Sequence, residues 1–203
     1  MAVTVGRLQP LLVEELAEAL TRFDCVTRYV DGEPDPGELM VREFLAQAAV
    51  PAADVGTSTT YLAWDPELAD AAVLGYITLT LSHVRLTTGE KRAGGMPHAW
   101  GADFGALRIG MIGTDRHYAG QGVGYRLLRT AIDSAAVMSE AVSVRFLIAD
   151  AVDTQRSWYE RQGFVENRSL AERERLARTR ERTGVSATSM RLDLGADPRL
   201  LAI

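Results

Sequence analysis

Several residue types that support common protein functions are scarce in this chain. Cys25 is the only cysteine among 203 residues, which excludes an internal disulfide and a cysteine-rich zinc site. The three histidines, His83, His98 and His117, do not have the spacing of metal ligands, so no metal site is predicted. Lys91 is the only lysine, and 22 basic residues stand against 27 acidic ones, which gives a formal net charge of −5. That charge lacks the basic excess that nucleic-acid binding requires.

Long apolar runs are missing as well. No stretch approaches the roughly 18 apolar residues of a membrane-spanning helix, and the first residues lack a basic segment followed by an apolar one. These absences predict no membrane contact, no secretion signal and a cytoplasmic location. With 47% hydrophobic and 24% charged residues, the composition is typical of a globular protein. The length fits one domain of ordinary size, so we predict a single domain over residues 1–203.

The most informative segment is a strand, a glycine-rich turn and a helix. Leu107 to Thr114 has the pattern of a short apolar strand, and Gly120, Gly122 and Gly124 follow it. Apolar residues then recur at the spacing of an amphipathic helix: Val123, Leu127, Leu128, Ala131, Ile132, Ala135 and Met138. The N-terminus of a helix favours anions, and glycine lets the backbone approach them closely. The segment therefore predicts a site for a phosphate-bearing cofactor.

Spacing narrows the choice of cofactor. A dinucleotide fingerprint that starts at Gly120 needs glycine or alanine at position 125, where Tyr125 stands. One that starts at Gly122 meets Leu127 instead, and no Gly-Lys-Ser/Thr follows for a nucleoside triphosphate. Both of these cofactor classes are excluded. A tight turn that binds nothing is the alternative interpretation of the segment.

What remains resembles motif A of the Gcn5-related N-acetyltransferases (GNAT), usually Arg/Gln-x-x-Gly-x-Gly/Ala after a strand that ends in an acid. Asp115 stands at the strand end, and Gly122 and Gly124 fill the two glycine positions. Ala119 departs from the pattern, since the family has arginine or glutamine there. Part of the usual side-chain support of the pyrophosphate loop is therefore absent.

A second motif of the same family follows downstream. Val144 to Ala149 is a compact apolar run typical of a buried strand. Asp153 is suited to cap the next helix and Gly163 to end it. The segment from Ser157 to Phe164 resembles the family's aromatic-Tyr-x-x-x-Gly-Phe segment, whose tyrosine faces the cofactor sulfur. Two motifs in the family's order strengthen the resemblance beyond either one alone.

The resemblance implies an acetyl-CoA site at which a primary amine attacks the thioester directly. Backbone N–H groups at Ile112 and Thr114 are implied to hold pantetheine and the acetyl oxygen, and Gln121 or Arg126 to compensate for Ala119. The implied cofactor-binding residues are Ile112, Gly113, Thr114, Ala119, Gly120, Gln121, Gly122, Val123, Gly124, Tyr125 and Arg126.

Tyr159 is the implied catalytic residue, a general acid that protonates the departing thiolate. A phenol with an ordinary pKa near 10 stays protonated at neutral pH and can donate. A tyrosine that only packs in the core is the alternative interpretation.

The sequence leaves the general base open. A histidine or carboxylate could accept the amine's proton through water, and His83, His98 and His117 are the histidine candidates. A lone histidine is nevertheless more often a surface residue. Glu33 or Asp35 could recognise a cationic substrate, although charges in such a loop are usually only solvated.

The acceptor is open as well, and three hypotheses stand. The main one is a small-molecule amine. The oligomeric state is open too, and a homodimer is possible because dimers are common in the resembled family. The second is a GNAT-type toxin that acetylates aminoacyl-tRNA, because Phe23-Asp24-Cys25 and Gly75 to Leu79 resemble that subgroup. The third is a non-catalytic module that binds acetyl-CoA, which Ala119 and the missing base favour.

Charge argues against the tRNA hypothesis, since any phosphate-binding face would have to come from the C-terminal half. The candidates there are Arg168, Arg173, Arg175, Arg178, Arg180 and Arg182. Glu172, Glu174 and Glu181 are interspersed among them, which favours a solvated helix.

The order of predicted elements matches the GNAT fold, an α/β fold with a twisted mixed sheet of about seven strands and helices on both faces. Besides the segments above, strands are predicted at 3–5, 59–64, 72–84 and 187–194. Helices are predicted at 11–23, 38–49 and 169–182, and loops at 31–37 and 87–105.

Overall fold

The computed structural model describes residues 2–68, 72–96, 101 and 103–196. The strands are β1 (Thr4–Arg7), β2 (Tyr29–Val30), β3 (Glu33–Pro34), β4 (Thr59–Trp64), β5 (Val73–Arg85), β6 (Asp103–Thr114), β7 (Phe146–Val152), β8 (Val165–Glu166) and β9 (Ala187–Asp193). The helices are α1 (Pro10–Glu15), α2 (Ala17–Arg22), α3 (Pro36–Glu43), α4 (Ala49–Asp54), α5 (Thr88–Ala93), α6 (Val123–Ser139), α7 (Arg156–Arg161) and α8 (Leu170–Thr183).

Seven strands form one mixed sheet in the order β1-β4-β5-β6-β7-β9-β8, and β2 pairs with β3 in a separate hairpin. The prediction of an α/β fold with a mixed seven-stranded sheet is confirmed. Two compact units divide the chain, residues 1–80 with 110–130 and residues 81–109 with 131–203. A single domain stays a prediction. No helix in the described part of the chain combines the length and the hydropathy that a membrane span needs.

In the first unit, an apolar core gathers around one buried tyrosine. β4 pairs antiparallel with both β1 and β5. The ring of Tyr76 meets Phe23 edge-on at 5.6 Å and stacks on Phe44 at 6.3 Å. Its hydroxyl donates to the Val41 carbonyl at 2.5 Å, so the polar end of this buried side chain is satisfied. The tyrosine thus joins β5 to α3 and to the segments beside it.

Two helix predictions in this unit need correction. The predicted helix 11–23 is two short helices, because Leu16 leaves the helical conformation between them, at φ −107° and ψ 11°. The predicted helix 38–49 continues to Asp54 through a π-helical turn at Phe44–Ala48. Pro51 does not stop it, since it lies in the first turn of α4, where a missing N–H is tolerated.

The predicted loop 31–37 contains a β-hairpin. Its two turn residues, Asp31 and Gly32, both have positive φ, 52° and 87°. That conformation is the tight turn that Asp-Gly favours between antiparallel strands. The short strands β2 and β3 went unpredicted because two residues are too few to show alternation.

The second unit contains parallel and antiparallel pairs. β6 runs parallel to β7, with Ala106 opposite Phe146, and β9 pairs antiparallel with both β7 and β8. The predicted loop 87–105 includes α5, whose start is a capping box between Thr87 and Glu90. The predicted cap at Asp153 is wrong, because α7 begins after Gln155 and has no side-chain cap.

Glu38 is a buried carboxylate that fixes the segment between α2 and β2. It is 8% exposed. Its oxygens accept the Thr27 N–H at 2.6 Å, the Thr27 hydroxyl at 2.9 Å and the Arg28 N–H at 2.9 Å. All three donors lose their partner if the carboxylate is removed.

We therefore expect Glu38→Ala to lower the free energy of unfolding by about 2 kcal/mol, since it removes three hydrogen bonds to a charged acceptor. Urea denaturation measures this change. Glu43→Ala is the matched control, because Glu43 is exposed on the same helix. Equal stability of the two variants would refute the anchoring role of Glu38.

Candidate functional site

The glycine-rich turn lies between β6 and α6 in the first unit. A 3-10 turn at Arg116–Tyr118 precedes it. Gly120 and Gly122 have φ of +76° and +82°, which other residues rarely adopt. The Arg126 N–H donates to the Gly122 carbonyl at 3.1 Å, so Gly122 is the residue that caps α6. The N–H groups of Val123, Gly124 and Tyr125, in the first turn of α6, have no helix carbonyl one turn earlier to which they could donate.

The exposed side of this turn has room for a ligand. A Cβ built on Gly120 or Gly122 meets no other atom within 4 Å. Both residues are exposed, and so is Gln121 between them. First-turn N–H groups, the helix dipole and glycines without side chains make up the donor set that binds phosphate oxygens. The residues present therefore fit the pyrophosphate of acetyl-CoA.

Asp115 anchors the turn to the rest of the first unit. Its carboxylate, 5% exposed, accepts the Asp24 N–H at 2.9 Å through Oδ2 and the His117 N–H at 2.9 Å through Oδ1. Its own N–H donates to the Leu74 carbonyl at 2.9 Å, and the neighbouring Arg116 N–H donates to the Asp24 carbonyl at 2.9 Å. The start of the loop is thus bonded to β5 and to the segment after α2.

Two further glycines let the elements around the loop approach closely. A Cβ on Gly75 would stand 2.6 Å from the Gly113 carbonyl oxygen and 3.0 Å from a methyl group of Val123. A Cβ on Gly113 would stand 2.8 Å from Val41. Sequence reasoning did not assign Gly75 a structural role, because its constraint comes from residues distant in sequence. No local pattern signals it.

All eleven predicted cofactor-binding residues lie in the first unit. Ile112, Gly113 and Thr114 are the last three residues of β6, and all three are half-buried. The loop residues from Ala119 to Gly122 are exposed, Val123 is buried, Gly124 is half-buried, and Tyr125 and Arg126 are exposed. The structure therefore brings these residues together in one strand, loop and helix start.

Of the two residues expected to compensate for Ala119, Gln121 has a defined bond. Its Nε2 donates to the His117 carbonyl at 3.2 Å. The amide therefore braces the loop from within. Arg126 keeps its guanidinium on the exposed side of α6. Arg126 could therefore supply a cation from the helix side of the loop.

Tyr159 lies in the second unit, on α7. Trp158 meets its ring edge-on at 4.9 Å and Phe164 at 5.2 Å, so the ring orientation is fixed by packing. Burial, followed by the nearby Asp150 carboxylate, raises the pKa of the Tyr159 phenol well above its usual range. The hydroxyl is therefore protonated at neutral pH.

Asp150, at the carboxyl-terminal half of β7, is the centre of a charge network in the same unit. Arg108 binds it at 3.0 Å and Arg175 at 2.8 Å. Arg175 also binds Glu172, and Ser189 donates to the same glutamate at 3.1 Å. Sequence reasoning placed Arg175 and Glu172 on a solvated helix; the network places both against the sheet.

The candidates for a general base or cation site are placed as follows. His117 is exposed, and its ring Nδ1 lies 2.9 Å from Asp115 Oδ1. His83 is exposed on β5, in the second unit. His98 lies outside the described residues. Asp35 caps α3 by accepting the N–H groups of Gly37 and Glu38, and Glu33 is exposed in the hairpin.

The described residues contain no group of three or more His, Cys, Asp and Glu side chains that could hold a metal ion.

Comparison with known proteins identifies a family and a fold. The family model described as "Acetyltransferase (GNAT) domain" matches residues 60–166. No curated protein matches the sequence. Among solved structures, AtaT complexed with acetyl-methionyl-tRNAfMet superimposes with a TM-score of 0.71 at 18% identity, over 99% of this chain and 100% of that one. A Tyr-to-Phe variant of KacT gives 0.72 at 17%, over 98% and 99%. AtaTR bound with AcCoA gives 0.67 at 20%, over 98% of both chains.

At these identities the structural similarities establish the fold, while the family match covers more than half of the chain and includes the glycine loop and Tyr159. The chain belongs to the GNAT family and is an N-acetyltransferase that uses acetyl-CoA as its acetyl donor.

Proposed function

We propose that this enzyme acetylates the amino group of an amino acid esterified to tRNA, and that it acts as a toxin neutralised by an antitoxin. The observation that carries the proposal is a fold similarity over nearly the whole chain, and not only over residues 60–166, which the family model matches. AtaT, one of the similar proteins, is known in complex with acetyl-methionyl-tRNAfMet and with the C-terminus of the antitoxin AtaR. Aminoacyl-tRNA therefore replaces the small amine as the main hypothesis for the acceptor.

The distribution of charge on α8 answers the objection from the net charge. Glu172 is buried and faces Arg175 and Ser189, so it does not offset the exposed cations. The exposed charges of this segment are five arginines and two glutamates: Arg168, Arg173, Arg178, Arg180, Arg182, Glu174 and Glu181. Exposed arginines on an acidic protein are sufficient to contact phosphates.

The proposed chemistry gives these residues the roles that the resemblance to the family implies. The amine nitrogen attacks the acetyl carbonyl carbon, the carbon–sulfur bond breaks, and the thiolate takes up a proton while the nitrogen loses one. The glycine loop holds the pyrophosphate, and backbone N–H groups at the end of β6 stabilise the negative oxygen. Each such donor contributes about 3 kcal/mol to the transition state. Tyr159 supplies the proton for the sulfur.

Gly122 tests the cofactor loop. We expect Gly122→Ala to raise the Kd for acetyl-CoA at least tenfold, because a Cβ on the exposed side of the turn holds the phosphates away from the N–H groups of the first turn of α6. Isothermal titration measures the Kd. Gly56→Ala is the matched control, since Gly56 also has positive φ, +70°, and open space around it. It carries a similar backbone strain, so equal losses of affinity in both variants would remove the loop from the site.

Tyr159 tests the chemical step. We expect Tyr159→Phe to lower kcat about 100-fold with an unchanged Kd for acetyl-CoA, because a positioned general acid contributes at least that factor. Release of free CoA measures kcat. Tyr76→Phe is the control: it removes the hydroxyl bonded to the Val41 carbonyl and should affect stability rather than kcat. Full turnover by Tyr159→Phe would make Tyr159 a packing residue.

The acceptor is tested with radiolabelled acetyl-CoA and a mixture of aminoacylated tRNAs. We expect label in the tRNA fraction, recoverable as N-acetyl amino acid after mild alkali, and none with deacylated tRNA. A panel of small amines should react far more slowly. Expression should arrest growth, and Tyr159→Phe should relieve the arrest.

Two results would overturn the proposal. Rapid acetylation of small amines with charged tRNA untouched would restore the small-amine hypothesis. Binding of acetyl-CoA with no transfer to any acceptor would indicate a non-catalytic module.

A further inference from the structure

A cavity of about 260 Å³ lies in the second unit, between α8 and the strands β8 and β9. Its residues are distinct from the glycine loop and from Tyr159. The cavity is lined by Glu166, Asn167, Arg173, Leu176, Ala177, Arg180, Ser186, Ala187, Thr188 and Ser189. Drug-sized ligands occupy about 300–1,000 Å³, so this space suits a ligand of mononucleotide size or smaller.

Asn167, in the lining of this cavity, has a buried side-chain amide without hydrogen-bond partners in the described chain. It is 3% exposed, and neither its Nδ2 nor its Oδ1 has a hydrogen-bond partner within the described chain. The backbone N–H of the same residue is satisfied, because it donates to the Ser189 carbonyl at 2.8 Å. A buried amide without partners destabilises a folded protein, so it calls for an outside partner. That partner must offer both a donor and an acceptor.

Charge and shape of the lining narrow the ligand further. Arg173 and Arg180 are both exposed along one side of α8, and no ion pair within the described residues engages them. Arginine is the side chain best suited to phosphate oxygens. Leu176 and Ala177, between these arginines, provide an apolar wall. The one carboxylate of the lining, Glu166, is paired with Arg156 at 3.4 Å. An apolar wall beside an amide and two cations suits a flat heterocycle that carries a phosphate.

We propose that this cavity binds a nucleotide. The Asn167 amide pairs with an edge of the base that presents a donor and an acceptor, as asparagine does with adenine. Arg173 and Arg180 bind the phosphate. The nucleotide is either free or the end of an RNA strand. This site goes beyond the proposed acetyl transfer and does not require it.

The test is a titration that involves no acetyl transfer, so its failure is distinguishable from failure of the proposed function. Adenosine monophosphate and a five-nucleotide single-stranded RNA are titrated into the full chain with excess coenzyme A present, which keeps both probes off the glycine loop. We expect saturable binding of at least one probe. Asn167→Leu should weaken it at least tenfold while raising Tm, because leucine fills the same space without unpaired polar atoms.

Arg180→Gln keeps the proposal testable if Asn167→Leu does not fold. It should weaken binding and lower the slope of log K against log salt by about 0.7 for the RNA. Arg178→Gln is the matched control for adenosine monophosphate, since Arg178 is exposed on α8 outside the cavity lining. Binding of the monophosphate identifies a free nucleotide as the ligand, and binding of the RNA alone identifies a strand end.

Three outcomes would overturn the proposal. They are the absence of binding by both probes, binding of the monophosphate reduced equally by Arg178→Gln and Arg180→Gln, and binding unchanged by Asn167→Leu. An acidic peptide that binds with dependence on Asn167, when neither nucleotide probe does, would reassign the cavity to a protein partner.

Discussion

The rest of the cofactor site depends on the carboxylate of Asp115. Asp115 directly follows β6. Its carboxylate accepts the N–H groups of Asp24 and His117, and its backbone N–H donates to the Leu74 carbonyl. A single buried acid thus fixes the direction in which the chain leaves the strand, and with it the position of the glycines that follow. The glycines supply the conformation of the loop, but the anchor determines where the loop lies in the first unit.

A second constraint, in the second unit, is a network of charged side chains that bind one another against the sheet. Asp150 is neutralised by Arg108 and Arg175, and Glu172 joins the same network. This removes one glutamate from the exposed face of α8. The net charge of −5 counts every side chain equally, yet a partner meets only the exposed ones. For this reason composition argued against a nucleic-acid partner more strongly than the folded surface does.

Much of the fold was predictable because its signals are local. The helix α6 and the strands β4, β5 and β9 appear near their predicted bounds, since apolar periodicity is set by short-range geometry. The break at Leu16 was not predicted, because Leu16 fits the apolar pattern of the helix. The extension of the second helix past Pro51 was not predicted either, because a proline is tolerated only in a first turn and the sequence does not show that α4 begins at Ala49. The hairpin at Asp31-Gly32 had a turn signal, but its two-residue strands had none.

The sequence by itself determined the chemistry of the cofactor: glycines at fixed spacing before an amphipathic helix can bind a phosphate with backbone groups alone. Resemblance of the segment from Ser157 to Phe164 to the family's second motif singled out Tyr159. Only the tertiary structure revealed why Gly75 must lack a side chain, and that Asn167 is buried without a partner. The reason is physical. Close approach and burial are properties of atoms brought together from distant parts of the chain, and no spacing along the chain encodes them.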